Sequence, residues 1–406
     1  PADTDFGKPD PAAPETATIT EPALPPVVSM AVLRPWIYRD DTIIFNQKRF
    51  IDFLAVRVIN RRLETRARAG GSFLQASVSL DDVSRSANVT FTNILPVGDD
   101  WHAAMKDVRA VIADAMATAP TQAEIEREYA EFDAAMRNDV GTARVEAGAK
   151  QADDMVGALD IRETVAGPQE SYNILKQAHD KGMFTPEALL ESTRPIFAGT
   201  ATRAIVNTRT ADGATPAAVA AALKEDVSGL VGSRKDQASI DFSRLPKLGK
   251  PGKVKSREAA GEPGIEKIVF RNGVRMLLYA NSSETGRVYI RVRFGRGYST
   301  LPAKTPTPAW AGDMALVPAG IGDLDQGDLD ALTNGRRIGM DLDIAEDAFS
   351  FSAMTTPGDY ADNLLLMADK LAFPRWDAAP VMRAKAAMLA GYPGLNASPD
   401  GVLSRE

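Results

Sequence analysis

The sequence predicts an α+β fold made of two homologous domains, each a largely antiparallel sheet with packed helices. Three observations lead there. A helix–hairpin–helix string occurs twice, over 46–135 and 325–390. The strands in each string are joined by short turns, so neighbours in sequence pair antiparallel. Between the two strings lies a Gly-, Lys-, Ser- and Pro-rich stretch, residues 229–264, with weak periodicity. The chain has 406 residues, enough for two or three domains at roughly 150 residues each.

Residues 1–26 are rich in proline and read as an extended lead-in, with a short strand near Thr16–Thr20. Residues 27–34 are a strand. Residues 46–67 are a helix that is mostly buried, because only Asp52 and Arg57 are polar between Phe50 and Ile59. Gly70 and Gly71 end it. A strand follows in which Leu74, Ala76, Val78 and Leu80 alternate. A turn at Asp81-Asp82 leads to a second strand carrying Val89 and Phe91. Gly98-Asp99-Asp100 opens a helix with Trp101, Met105, Val108 and Ile112 on one face. Thr121 and Glu124 form a capping box for the next helix. Further helices are expected near 145–163, 167–181, 186–195 and 215–229, with a strand at 202–207.

After the Gly- and Lys-rich stretch come strands at 266–270, 274–280 and 286–294, the first two joined by an Asn272-Gly273 hairpin signal. A short helix is expected within 306–317. A helix ends at Asn334-Gly335. Ile338, Met340, Leu342 and Ile344 alternate along a strand, and a turn at Glu346-Asp347 leads to Phe349 and Phe351. Pro357-Gly358-Asp359 opens a helix with Tyr360, Leu364, Met367 and Leu371 on one face, and Asp377 starts another. The helix steps repeat those of the first string, which argues for duplication rather than coincidence.

Composition excludes several chemistries. There is no cysteine, so disulfides, thiolate metal sites and cysteine nucleophiles are ruled out. Net charge is −7, which argues against a general nucleic-acid surface. No apolar run approaches a membrane span. The only histidines, His102 and His179, are too far apart for a helical zinc pair, which needs two on one face plus a carboxylate. No Walker loop, dinucleotide fingerprint or Gly-x-Ser-x-Gly elbow is present. Glu124, Glu126, Glu128 and Glu131 follow a helix cap and read as a solvated face. Asp341 and Asp343 read as the wet side of a strand. In 287–294, Val288, Ile290, Val292 and Phe294 line one face. Arg287, Tyr289, Arg291 and Arg293 line the other, as a solvated face or as a wall that binds carboxylates and peptide carbonyls.

The run 55–80, AVRVINRRLETRARAGGSFLQASVSL, resembles the domain that follows the catalytic domain in pitrilysin/insulinase-family zinc peptidases. The segment 119–127, APTQAEIER, is similar to a helix start of that domain. Asn272-Gly273-Val274-Arg275-Met276 and 286–297, GRVYIRVRFGRG, resemble the opening strands of another such domain. Together the resemblance covers most of 15–400. It implies an inverted zinc motif, His-x-x-Glu-His, on a helix after those strands. By that alignment Ala309 stands at the first histidine, Gly312 at the glutamate and Asp313 at the second histidine.

The resemblance therefore implies a metal-less domain that cleaves no peptide alone. It implies no cofactor on this chain, with zinc in a missing catalytic domain of a four-domain zinc endopeptidase whose halves enclose a peptide. Residues 1–15, with Phe6-Gly7, would be the exit of that preceding domain, 16–230 the second domain, 231–264 the linker, and 265–406 a truncated, degenerate third domain. The partners implied are the catalytic domain, the C-terminal domain and a peptide substrate. The periplasm is the compartment implied. Two other readings stay open: a non-catalytic family subunit that scaffolds an active partner, and an unrelated module whose Arg/Tyr strand face binds peptides or anions.

Overall fold

The computed structural model describes residues 4–143, 146–232, 240–261, 264–280, 286–302, 304, 309, 311–333 and 336–405. The chain divides into two compact units, 1–236 with 382–406, and 237–381. The fold is α+β.

In the first unit, β1 (Thr16–Thr20), β2 (Val27–Pro35), β3 (Phe73–Val83), β4 (Ala87–Pro96) and β5 (Ala201–Thr208) form one sheet in the order β1-β5-β2-β4-β3. Only β1 and β5 pair parallel. The helix α1 (Ile43–Arg68) starts where Thr42 caps Phe45 N at 3.1 Å. It stops at Gly70, whose φ of +88° is the left-handed conformation that glycine adopts without strain. α2 (Trp101–Ala117) and α3 (Gln122–Thr142) follow the hairpin, and the Thr121–Glu124 capping box forms as the sequence predicts. α4 (Gly148–Asp160), α5 (Pro168–Asp180), α6 (Pro186–Ile196) and α7 (Pro216–Lys224) complete this run. Leu54, Ile59, Leu63, Phe73, Met105, Val108, Ile125, Leu175 and Leu189 join one core with Val28 and Ile94 of the sheet. The alanine-rich helix ends earlier than expected, at Lys224.

The second unit has two three-stranded antiparallel sheets. One is β6 (Val254–Ala259), β7 (Ile265–Phe270) and β8 (Arg275–Tyr279). The other runs β10 (Asp341–Ile344), β11 (Phe349–Thr355), β9 (Val288–Phe294). The Asn272-Gly273 hairpin joins β7 to β8, with Gly273 at φ +90°. α8 (Gln326–Leu332) precedes the β10–β11 hairpin and α9 (Tyr360–Ala372) follows it; α10 (Ala378–Gly391) begins in this unit, and from Met382 onward the chain, with α11 (Pro399–Arg405), belongs to the first. Asn334-Gly335 lies outside the described residues.

Three stretches differ from the sequence reading. In 231–264, Leu245 is buried beside Ile321, Leu324 and Leu366, and β6 pairs with β7. An apolar residue and a β-branched run within a polar stretch are enough to join a core and a sheet edge. The strand expected from Ile338 begins only at Asp341. Before it, Gly339 N donates to Asn363 Oδ1 at 2.8 Å and Arg337 N to Asp359 Oδ2 at 3.1 Å, so α9 takes the bonds a strand partner would. Within 306–317, Gly312–Leu316 forms a single π-helical turn.

The two strings share strand order. β3-β4-β2 and β10-β11-β9 are both wholly antiparallel, and each first strand is separated from its hairpin by helix. α2 starts as far beyond Pro96 as α9 starts beyond Thr355. With Trp101 set opposite Tyr360, Thr92 falls opposite Phe351. Their cross-strand partners then also correspond, Val78 with Leu342 and Met30 with Val292. Burial is not shared: Trp101 is buried and gives its indole N–H to Gly213 O at 2.9 Å, whereas Tyr360 is 46% exposed.

Candidate functional site

The residues aligned with the zinc motif hold no metal-binding set. Gly312 opens the π-helical turn, and a Cβ there would lie 2.9 Å from Leu342 Cδ2, so the turn is pressed against β10. Asp313 Oδ1 accepts from Leu342 N at 2.9 Å. Ala309 and Gly312 offer no ligand atom, and no group of three His, Asp or Glu side chains suited to a metal occurs among the described residues. A hydrolytic zinc needs about three protein ligands and an open position; this donor set does not fit it. The histidines have other partners. His102 Nε2 lies 2.9 Å from Glu225, and His179 stacks on Tyr129 with centroids 3.9 Å apart.

On β9 the alternation is as the sequence predicts. Val288, Ile290, Val292 and Phe294 lie on the more buried side, while Tyr289, Arg291 and Arg293 are exposed and Arg287 just before the strand is exposed too. Arg291 faces Ser352 across β11, and Asp341 lies beyond it. Arg293 faces Ser350, with Asp343 beyond. Arg293 Nη2 also reaches both Asp347 oxygens, at 2.9 and 3.0 Å. Asp341 and Asp343 are exposed, as expected.

The first unit contains a site the sequence reading missed. The acidic run on α3 is not a solvated face. Glu128 is buried at 1% exposure, and Glu124 forks onto Arg62 at 3.0 and 3.3 Å. The cause is α1, which presents arginines to the same helix face. Arg61 Nε donates to Glu128 Oε1 at 3.1 Å and its Nη2 to Glu131 at 2.6 Å. Arg57 Nη2 lies 3.3 Å from Glu128 and 3.0 Å from Glu131. Glu126 alone of the four is exposed, accepting from Gln122 Nε2 at 2.7 Å and lying 3.6 Å from His179. The signal was present: Arg57 and Arg61 stand four apart on α1, and Glu124, Glu128 and Glu131 are spaced four and three on α3, so each set shares a helix face.

This ion-pair cluster floors a cavity of about 560 Å³, lined by Arg57, Asn60, Arg61, Glu64, Arg68, Glu128, Arg383 and β3 residues 74–77. β3 is an edge strand, and its outward groups are engaged on both sides of the cavity. Asn60 brackets Val78, donating to its C=O at 2.9 Å and accepting from its N–H at 2.7 Å. Arg383 Nη2 donates to Leu74 O at 3.2 Å. Burial works against the Arg61 charge, but Glu128, Glu131 and Glu64 outweigh it and hold the guanidinium above its ordinary pKa. At Arg383 burial and the like charge of Arg68 push the pKa down, with Glu64 opposing them. Four guanidinium groups thus line the cavity against two carboxylates.

No protein-family model matches the sequence, and no curated protein matches it. Solved structures do match in fold. A mutant of the ferredoxin protease FusC, in complex with Arabidopsis ferredoxin, shares 13% identity with a TM-score of 0.58, covering 96% of this chain and 44% of that one. Pitrilysin shares 14% identity with a TM-score of 0.50, covering 92% of this chain and 38% of that one. The periplasmic protease PqqL from Escherichia coli shares 13% identity with a TM-score of 0.47, covering 98% of this chain and 45% of that one. The chain therefore has a pitrilysin/insulinase-like peptidase fold and spans less than half the length of these structures. No helix among the described residues is long and apolar enough to cross a membrane.

Proposed function

We propose that this chain is a non-catalytic, substrate-enclosing part of a zinc-dependent metalloendopeptidase. The carrying observation is the peptidase-like fold over nearly the whole chain; the metal-less part is supported by Ala309 and Gly312, which at the positions set against the motif carry no ligand atom and leave Asp313 as a lone carboxylate. On this reading 16–230 is the second domain of a four-domain enzyme and 265–406 belongs to the third. The zinc and the general base sit in a catalytic domain supplied elsewhere, and the role of this chain is to enclose and hold the polypeptide. A protein or peptide substrate suits the reading, since FusC is a protease captured with ferredoxin. The compartment that goes with this reading is the periplasm.

Mixing separates the readings. The purified chain is loaded with zinc, its bound metal is measured, and a peptide panel is assayed with and without a His-x-x-Glu-His domain of the same fold. Inert chain that takes up no stoichiometric zinc and raises cleavage by the added domain is the expected result. Chelator-sensitive cleavage by this chain alone would overturn the reading. Stable binding to an active partner, with no effect on how peptides are held, would favour the scaffolding-subunit reading instead.

A further inference from the structure

We propose that the cavity between α1, β3 and Arg383 is a carboxylate-binding site for an acidic residue or a free C-terminus of a bound peptide. The peptide part of this rests on the enclosing role proposed above; the carboxylate part rests on the cavity itself.

Charge is the first argument. Arg57, Arg61, Arg68 and Arg383 line the space against Glu64 and Glu128, and with Glu131 behind them a net excess of one guanidinium remains. The distribution is uneven. Glu128 and Glu131 take Arg61 Nε and Nη2 and Arg57 Nη2 on the α3 side, while Arg61 Nη1 donates to Glu64 at 3.1 Å. Arg57 Nε is buried with no hydrogen-bond partner among the described residues. Arg68 and Arg383 repel one another across the space, with Glu64 as the shared counter-charge, and Arg68 Nη2 reaches Glu64 Oε1 at 2.5 Å. An anion placed between these two guanidiniums relieves that repulsion. Planar forks of this kind recognise carboxylates through paired N–H donors.

Shape selects how much of a peptide enters. An exposed edge strand invites a whole added strand. Here Asn60 occupies both outward groups of Val78, and Arg383 occupies the carbonyl of Leu74. Strand addition along β3 is blocked on either side of the cavity, so the opening admits a side chain or a chain end. A volume of about 560 Å³ holds one such group with its waters.

The test is calorimetric titration of the full chain at low salt with four short peptides: one bearing Glu, its Gln isostere, and each of these with a free or an amidated C-terminus. A Glu peptide binding about tenfold or more tighter than its Gln isostere identifies the side chain as ligand; a similar gain from the free terminus identifies the chain end. Arg68→Gln and Arg383→Gln are the variants, because both lie outside the buried Glu128 cluster. Each is expected to weaken the favoured peptide by about tenfold with the urea midpoint of the chain unchanged. Equal binding of all four peptides, undiminished binding in both variants, or tighter binding of inorganic phosphate than of any peptide would each overturn the proposal. Acidic-peptide binding without any rescue of cleavage in the mixing assay would sink the enclosing role and leave this site standing. Rescue without carboxylate preference would do the reverse.

Discussion

Replacing Glu128 by Gln keeps the shape of the side chain and removes one buried negative charge. The wild-type carboxylate faces three guanidiniums: Arg61 Nε at 3.1 Å, Arg57 Nη2 at 3.3 Å and Arg127 Nε at 3.4 Å. Breaking a fully buried pair costs about 3–5 kcal/mol, because the remaining charge is left without compensation. Two features reduce that figure. The Arg57 and Arg61 side chains are 27% and 25% exposed, and both also reach Glu131. We therefore expect Glu128→Gln to destabilise the α1–α3 contact by about 2–3 kcal/mol. Glu131→Gln should cost less, and the double variant should lose more than the sum, since each carboxylate rescues the other. The readout is amide exchange along α1 and α3 in the full chain, with a urea curve beside it. Lys150→Gln is the control. Its side chain is 61% exposed with Asp154 and Glu146 as partners, and solvent screens a surface pair of this kind. A Glu128→Gln loss no larger than the control, or a gain in protection, would refute the view that this cluster is a buried electrostatic unit.

Two predictions concern the second unit. Gly297 sits at φ +55°, and a Cβ there would run into the Ala345 carbonyl and lie 2.6 Å from Ala348 N; Gly297→Ala is expected to cost about 2–4 kcal/mol, from overpacking plus left-handed strain, and exchange along β9 and β11 should rise. Lys370 is buried and donates to the carbonyls of Leu316, Ala319 and Gly320. Burial lowers its pKa from 10.5 to about 8, with Asp377 opposing. Between those values the unfolded chain binds the extra proton, so stability should rise with pH across the window. Lys370→Met should flatten that rise in urea midpoints; an unchanged slope would remove Lys370 as its source.

Most of the fold was legible because local chemistry determined it. Thr121 and Thr185 cap their helices, Gly70 ends α1, and Asn272-Gly273 turns a hairpin; the Thr42 cap, which starts α1 three residues before the expected 46, was missed. The β3–β4 and β10–β11 hairpins followed from short turns, whereas the pairing of β2 with β4 and of β9 with β11 spans intervening helix and was not readable. Reading Glu128 as solvated failed for a reason of scale. A helix's own sequence says which residues share a face, and only the neighbouring helix says whether that face meets water or arginine. Leu245 failed in the same way: one apolar residue in a polar stretch carries no periodicity, yet a cluster of leucines elsewhere in the chain can bury it. The cavity could not be read at all, because it needs Arg383 beside Leu74, residues that meet only in the folded chain.

The duplicated register also bears on Asp313, one of the positions that the resemblance sets against the zinc motif. Val78 and Leu342 occupy corresponding places on edge strands β3 and β10. In each copy a helix-borne side chain takes the outward N–H at that place: Asn60 accepts from Val78 at 2.7 Å and Asp313 from Leu342 at 2.9 Å. Asp313 therefore has a local task that ties it to the strand. Restoring histidines at Ala309 and Asp313 and glutamate at Gly312 would remove this bond, and the new Cβ at Gly312 would sit 2.9 Å from Leu342. Two ligands would be gained at the expense of the strand edge that has to hold them in place. On the proposed reading of this unit as a metal-less domain, reinstating the motif alone would therefore cost a bond to the strand edge beside it.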